Sequence, residues 1–520
     1  MGGGLLQLVA YGAQDAYITG NPHITVWKVL YKRHTNFAME AFRVNFTGAP
    51  QYGQRVVAVI NRNADLMYKT YLEVVLPDTR TSATNANFDV LWTNGGQRRL
   101  GYILLKKIEV EIGGQIIDTH YGEWLFLWES LTSGFDNSVK MDTMLGGYLG
   151  GTETTAVSCG GRPAILYIPL QFWFCRNPGL ALPLIALQYH EVRINVTLSP
   201  ATDLVTKGAQ ASVSAAAAVL PQLTDMSLYI DYIYLDVDER RRFAQQSHEY
   251  LIDQLQFGLQ QTLTTSSARI DLTLNHPVKE LVWVFQDARK TDCASELTAN
   301  IGFTQPFSYD DIVNRARLQI NGQDRFDERY GDYFWKVQPY QHHTGGAFFP
   351  MRSQVIAQTV TTFTADTVTL SGDVMTIGAG ATVGGNIIEG ALVTNSNLPA
   401  GTVIQSYGTG NGGIGTYQLS EPALLDSTAQ TVTFTLPNVN YTPHENPINV
   451  YSFALQPEEH QPSGTCNFSR IDTTTLVFDS VTTSGIARPT KSTPFNFRLY
   501  AVNYNIFRVM SGMGGLAYSN

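Results

Sequence analysis

Charge is what this chain has least of. Asp, Glu, Lys and Arg make up 15% of its 520 residues, where soluble domains ordinarily carry roughly 25%, yet its apolar share is an unremarkable 44%. Much of the surface is therefore neutral, and part of it is expected to be covered by partners. Lys and Arg are absent between Arg352 and Arg470, a span that holds eight acidic residues: Asp366, Asp373, Glu389, Glu421, Asp426, Glu445, Glu458 and Glu459. That span accounts for nearly all of the net charge of -9. The remainder is almost balanced, with no basic face able to release counterions from a duplex, so direct nucleic-acid binding is not expected.

Cysteine is equally sparse. Cys159, Cys175, Cys293 and Cys466 are too scattered for a disulfide framework or a CxxC metal site, and they read as reduced thiols of a cytosolic product. The N-terminus, MGGGLLQLVAYG, lacks the basic start and long apolar core of a signal peptide, and Leu6 stands where a myristoylation signal needs Ser or Thr. No apolar run reaches the roughly 18 residues of a membrane-spanning helix.

What is present is period-2 alternation. Ile108, Val110 and Ile112 alternate with Glu109 and Glu111; Ile194, Val196 and Leu198 with Asn195 and Thr197; Phe495, Phe497 and Leu499 with Asn496 and Arg498. These are half-buried strands. Helical pattern is confined to connectors, and at this length two all-β domains are expected, built as sandwiches rather than by βαβ winding. In GNPHITVWKVLY, Asn21 as cap, Pro22 at the first helical position and the spacing of Ile24, Trp27 and Leu30 predict a short helix docked by its apolar stripe. A strand is expected to end near Leu235, followed by a short charged turn and a new strand near Tyr250, with the domain boundary between them. Residues 353–440, rich in Thr, Gly and Ala, are expected to form a small β insertion.

The two halves share a repeat. IGGQIIDTHYGEW (Ile112 to Trp124) returns as INGQDRFDERYGDYFW (Ile320 to Trp335). Gly114, Asp118, Tyr121, Gly122 and Trp124 line up with Gly322, Asp327, Tyr330, Gly331 and Tyr333. A strand is expected to turn at Gly114-Gln115 and at Gly322-Gln323, with an aromatic segment following to cover the sandwich end. Tyr121 and Tyr330 are expected as packing anchors, Asp118 and Asp327 as turn or cap acceptors.

Chemistry is hard to assemble from this sequence. Gly408, Gly410 and Gly413 satisfy GxGxxG, but TYQLS follows, a strand where a phosphate site needs a helix N-terminus. His190-Glu191 and His248-Glu249 lack the second histidine of a zincin, Ile194 and Ile252 standing in its place. Asp236-Val237-Asp238 reads as a helix-start charge pattern and Arg240 to Arg242 as a solvated helix face. His342-His343 has no third ligand nearby. No catalytic, cofactor or metal residues are assigned. Sequons at Asn45, Asn195, Asn440 and Asn467 are glycosylation candidates, with Asn440 the one expected to be well exposed.

Four stretches carry a resemblance: Leu8 to Glu40, DERRRFAQQSHEYLIDQLQF (Asp238 to Phe257), YSFALQPEEHQPSGTCNFSRID (Tyr451 to Asp472) and YAVNYNIFRVMSGMGGLAYSN (Tyr500 to Asn520). Together they closely resemble the major capsid protein of nucleocytoplasmic large DNA viruses. The resemblance implies an all-β double jelly roll, two eight-stranded antiparallel β-sandwiches in tandem, with the small β insertion in the second sandwich. It places an N-terminal arm at 1–24, a first jelly roll at 25–238, a connector at 239–249, a second jelly roll at 250–512 interrupted by 353–440, and a tail at 513–520. It further implies a homotrimeric capsomer, synthesised and assembled in the host cytoplasm and tiling the facets of an icosahedral virion. Expected partners are neighbouring capsomers, minor capsid and vertex proteins, and an internal membrane reached through inner-face proteins, with the arm and Lys28, Lys32 and Arg33 on the inner side. The insertion is expected on the outer surface, where acidic tips discourage particle association. A minor capsid or scaffold paralogue of the same fold, and an insertion that binds host glycans, are the alternatives.

Overall fold

The computed structural model describes residues 3–77, 91–92, 99–146, 157–158, 162–163, 165–206, 220–288, 307, 309–345, 362–383, 387, 391–399, 402–409, 414–435, 447–480, 482–483, 486–487 and 494–518. No helix among them is long and apolar enough to cross a membrane.

Strands dominate and pair antiparallel in two successive sandwiches. In the first, Phe37–Asn45, Asp225–Leu235, Leu66–Val75 and Ile165–Pro169 form one sheet, and Arg55–Ile60, Val192–Leu198, Leu105–Ile112 and Gln115–His120 the other. The second repeats the order. His248–Leu263, Phe495–Met510, Pro277–Asp287 and Asn449–Ser452 form its first sheet, and Ser267–Asp271, Thr474–Ser480, Val313–Ile320 and Gln323–Asp324 its second. In each sandwich the first strand pairs with the last, the second with the seventh and the fourth with the fifth, which is the double Greek-key winding of a jelly roll. Even a minor strand recurs: Leu182–Pro183 pairs with the start of the third strand in one sandwich, as Cys466–Asn467 does in the other.

Strand register also sorts the connections by end. The fourth and fifth strands of each sandwich are joined by two-residue turns, Gly113-Gly114 with φ of 59° and 85° and Asn321-Gly322 with φ of 50° and 79°. Positive φ at both positions marks type I′ turns, whose twist suits a tight hairpin. The turns therefore sit one residue earlier than the Gly-Gln dipeptides suggested, because Gln115 and Gln323 already pair with Ile112 and Ile320 as the first residues of the returning strands. These turns lie at the end from which the N-terminal arm and the C-terminal hairpin emerge. The long connections after the third, fifth and seventh strands leave from the opposite end.

Between the fifth and sixth strands of the second sandwich stands a separate six-stranded sheet made of Thr362–Ser371, Val374–Ile377, Leu392–Thr394, Ile404–Tyr407, Gly415–Leu419 and Ser427–Thr435. Its side chains close their own core around Leu370, Met375, Tyr417 and Phe434. β-Branched strands broken by glycine turns suffice to build it.

Two local expectations are corrected. Residues 21–36 form no helix; the arm's helices are Gly3–Val9 and Asp15–Thr19, and Trp27 is 94% exposed. A single short turn is too costly to nucleate without an apolar surface to dock on, and β-branched Ile24, Thr25, Val26 and Val29 weaken it further. The segment after Leu235 is longer than a turn: it is a helix, Val237–Gln245, in keeping with the helix-start pattern of Asp236-Val237-Asp238, capped by the Asp236 carboxylate on the Val237 N–H, and the next strand begins at His248.

Candidate functional site

Where two sandwiches meet, the sequence already departs from simple alternation. In Pro277–Asp287 nearly every residue is buried, as expected of a strand covered on both faces. Leu281, Trp283 and Phe285 point into the second sandwich, while Val282 and Val284 join the core of the first. The neighbouring strand divides likewise, with Phe497, Leu499 and Ala501 on one side and Tyr500 and Val502 on the other. The cover on that outer face is helix Gly122–Thr132, which buries Trp124, Leu125, Phe126, Leu127 and Trp128. Trp124 lies 5.5 Å from the Tyr500 ring, and Phe126 stacks on Phe307 at 5.0 Å.

Polar groups lock this junction. Glu123 sits in the first turn of the helix, where the helix dipole favours a carboxylate. One of its oxygens accepts from Arg498 Nη2 at 2.6 Å and from the Tyr309 hydroxyl at 3.0 Å, and the other accepts from the Tyr500 hydroxyl at 2.6 Å. Burial and then the Glu123 charge push the Tyr309 and Tyr500 hydroxyls well above the ordinary tyrosine range. Burial opposes the charge on Arg498, but Glu123 outweighs it and holds the guanidinium protonated. Deeper in, the Arg99 guanidinium pairs with Glu129 and also donates to Ser138 Oγ at 2.8 Å. Burial pushes the Glu129 carboxyl up to about 7 despite that partner.

A third cluster ties the end of helix Gln338–His342 to both sandwiches. His343 is buried between Glu280 at 3.1 Å and Glu458 at 3.0 Å, while Glu458 also accepts from the Thr344 N–H at 2.9 Å. Two residues on, the Gly345 N–H donates to the Leu131 carbonyl at 2.8 Å. At the opposite end, Asp118 accepts from the Leu255 N–H at 3.1 Å and Gln254 donates to the Ile117 carbonyl at 2.5 Å. The C-terminal hairpin closes the same seam, with the Tyr189 N–H donating to the Gly512 carbonyl at 2.9 Å. Chemically these contacts hold two bodies in one orientation. Among the described residues no three His, Cys, Asp or Glu side chains are grouped to hold a metal.

The model of the N-terminus of major capsid proteins matches residues 25–236, and the model of the large eukaryotic DNA virus major capsid protein matches 239–352 and 432–515. The chain belongs to the large eukaryotic DNA virus major capsid protein family. The major capsid protein of Pyramimonas orientalis virus is 41% identical over 520 residues, and that of Paramecium bursaria Chlorella virus 1 is 34% identical over 562, each alignment covering all of both chains. Among solved structures, a quasi-atomic model of the PBCV-1 virus capsid superposes with a TM-score of 0.61 at 30% identity, covering 95% of this chain and all of the other. The Faustovirus major capsid protein, at 12% identity and a TM-score of 0.58 over 96% of this chain and 94% of its own, shares the fold. The chain is thus a double jelly-roll component of the virion capsid of icosahedral large DNA viruses.

Within this capsid chain the repeat residues have diverged in their surroundings. Gly114 and Gly322 occupy the second turn position with open space around them. Gly122 and Gly331 are the conserved constraint of the repeat in three dimensions. A Cβ at Gly122 would stand 2.2 Å from the Leu105 carbonyl oxygen and one at Gly331 2.2 Å from that of Val313, the first residues of the equivalent fourth strands. Trp124 is buried and Tyr121 is half-buried against Phe257 and Tyr500, whereas Tyr330 is 62% exposed under Arg315 and is no core anchor. Tyr333 is half-buried and accepts from Gln338 Nε2 at 2.8 Å. Asp118 lies in a strand, not at a turn or cap, and serves the seam between sandwiches; Asp327 is exposed.

The remaining candidates scatter. Asn195 is buried in a strand and donates to Glu111 at 2.9 Å, so no glycan fits there, while Asn45 and Asn467 are exposed and Asn440 lies outside the described residues. Gly410 and Gly413 also lie outside them, as do Cys159 and Cys293; Cys175 is buried and Cys466 half-buried. His248-Glu249 is in a strand with Glu249 paired to Arg508, and His190 faces the C-terminal hairpin at Gly514. Of the acidic and basic triplet region, Arg240 reaches Asp65 at 2.9 Å. The residues that matter most at the junction, Arg498, Tyr500 and Tyr309, carry one readable signal, the charge of Arg498 between the apolar Phe497 and Leu499.

Proposed function

We propose that three copies of the chain form a homotrimeric, pseudo-hexagonal capsomer that tiles flat facets of the shell and performs no catalysis. One observation carries this reading: two sandwiches with the same strand order stand side by side, pointing the same way. Each chain then contributes two similar wedges and three chains contribute six, an outline that tiles a plane. The low charge fraction of 15% fits large interfaces of core-like composition.

In this reading the two jelly rolls span 25–238 and 250–512, and the end bearing the arm and both tight turns faces inward, toward minor capsid proteins and, through them, an internal membrane. The insertion, which leaves from the opposite end, caps the outer surface. Assembly takes place in the host cytoplasm, with other proteins at the vertices. Size-exclusion chromatography with light scattering on the purified chain tests it: a trimer at micromolar concentration is expected, and a stable monomer overturns it.

A further inference from the structure

Every Leu, Ile, Val, Trp and Tyr from Leu5 to Tyr31 is exposed, Tyr17 and Trp27 at 94%. None of these side chains joins the core of either sandwich, and from residue 3 to residue 36 only Asp15 is even half-covered. Apolar surface of this extent marks a place that a partner covers. Charge points to the kind of partner. No Asp or Glu occurs between Asp15 and Glu40, whereas Lys28, Lys32 and Arg33 do. At the same end of the molecule Arg193, Arg240 and Arg508 are held by Glu191, Asp65 and Glu249, but the three arm cations have no carboxylate partner among the described residues.

Nor does the arm offer one fixed face. Its helices Gly3–Val9 and Asp15–Thr19 span seven and five residues, and residues 20–36 hold neither helix nor strand. A protein groove selects side chains at set spacing along a helix or strand, which a fluid interface does not require. At a bilayer surface Trp and Tyr settle at headgroup depth, Lys and Arg lie beside anionic phosphates, and aliphatic side chains enter just below.

We propose that residues 3–36 bind the anionic surface of a phospholipid bilayer directly, with Trp27 and Tyr31 at the headgroup boundary and Lys28, Lys32 and Arg33 on its phosphates. This contact rests on the inward placement given above and needs no intermediary protein. Around the arm the same end leaves Ile116, Tyr189, Met510 and Met513 exposed beside its tight turns, so the face turned to the bilayer is apolar at its tips as well.

Flotation of the full chain with phosphatidylcholine vesicles, with and without phosphatidylserine, tests it, and light scattering gives the oligomeric state of the same sample. At about a fivefold gain per Lys or Arg near an anionic surface, the three cations are expected to favour the phosphatidylserine vesicles roughly a hundredfold. High salt should erase that preference, as should a Lys28→Gln, Lys32→Gln, Arg33→Gln variant whose circular dichroism matches the parent. Tryptophan emission should shift to the blue on binding in the parent and not in Trp27→Phe. A trimer that floats with neither vesicle, or a preference that survives in the triple variant, overturns the proposal and leaves the trimer standing. A monomer that floats with the preference intact keeps the arm's role and removes the trimer.

Discussion

Glu123 and Arg498 meet at 2.6 Å across the boundary between the sandwiches, each with only 12% of its side chain exposed. One comes from the first turn of a helix and the other from the last long strand, so their pairing depends on both bodies being folded and docked. Replacing Glu123 by Ala leaves the guanidinium buried without its charge partner, which costs on the order of 3–5 kcal/mol in comparable pairs. Urea denaturation of Glu123→Ala should show this loss, and a Glu123→Ala, Arg498→Met double variant should recover part of it. Equal stability of the parent and the single variant would show that the pair does not hold the junction.

Gly122 and Gly331 are required for a steric reason that is independent of backbone angle. Because a Cβ at either would press to about 2.2 Å on a strand carbonyl, Gly122→Ala and Gly331→Ala should each lower stability by about 1–3 kcal/mol, the range for overpacked sites. Gly114→Ala tests a different constraint, since its φ of 85° strains any side chain although space is open. Thermal melts of the three variants decide it; an unchanged Gly331→Ala would mean that the backbone relaxes freely there.

His343 makes the junction sensitive to alkaline pH. Burial works against its charge, but Glu280 and Glu458 outweigh burial and push the ring up to about 9 from 6.5. A raised value means that its stabilisation is fully present below about 6.5 and is lost as pH rises to about 9. Glu458 is lowered from 4.5: burial opposes this, and the hydrogen bonds from His343 and Thr344 prevail, so its contribution is present above about 4.5 and is lost in acid. Apparent melting temperature should fall between pH 6.5 and 9 in the parent and fall less in His343→Gln. Parallel curves for the two proteins would refute the assignment.

The insertion has a core of its own, with Leu370, Tyr417 and Phe434 among the residues that close it. Replacing residues 362–435 by a short Gly-Ser linker should leave the unfolding transition of the two sandwiches and their oligomeric state within error of the parent. Loss of soluble protein, with linkers of several lengths, would show that the module braces the sandwiches instead.

Sequence alternation was enough to reveal strands, and the Tyr-Gly repeat was enough to reveal two related bodies, because a helix entering tightly over the fourth strand tolerates only Gly at positions 122 and 331. The repeat was less informative about burial. Tyr121 and Tyr330 share a motif, yet one lies against Phe257 and Tyr500 while the other covers Arg315 in solvent, since local pattern sets which way a side chain points but not what stands opposite. The N-terminal segment shows the same limit from the other side: Asn21 and Pro22 are good helix-start residues, but a stripe needs a surface.

The amino-acid sequence by itself determined the strand class and the place of the hairpin turns to within one residue, which depend on residues a few positions apart, and the two-body organisation, which shows as a local motif occurring twice. Only the tertiary structure decided that Glu123 would meet Arg498, that Asp118 would serve a backbone N–H at Leu255 and that His343 would lie between two carboxylates. These partners are brought together from distant parts of the chain by burial of apolar faces, and no local pattern encodes which buried charge will find which.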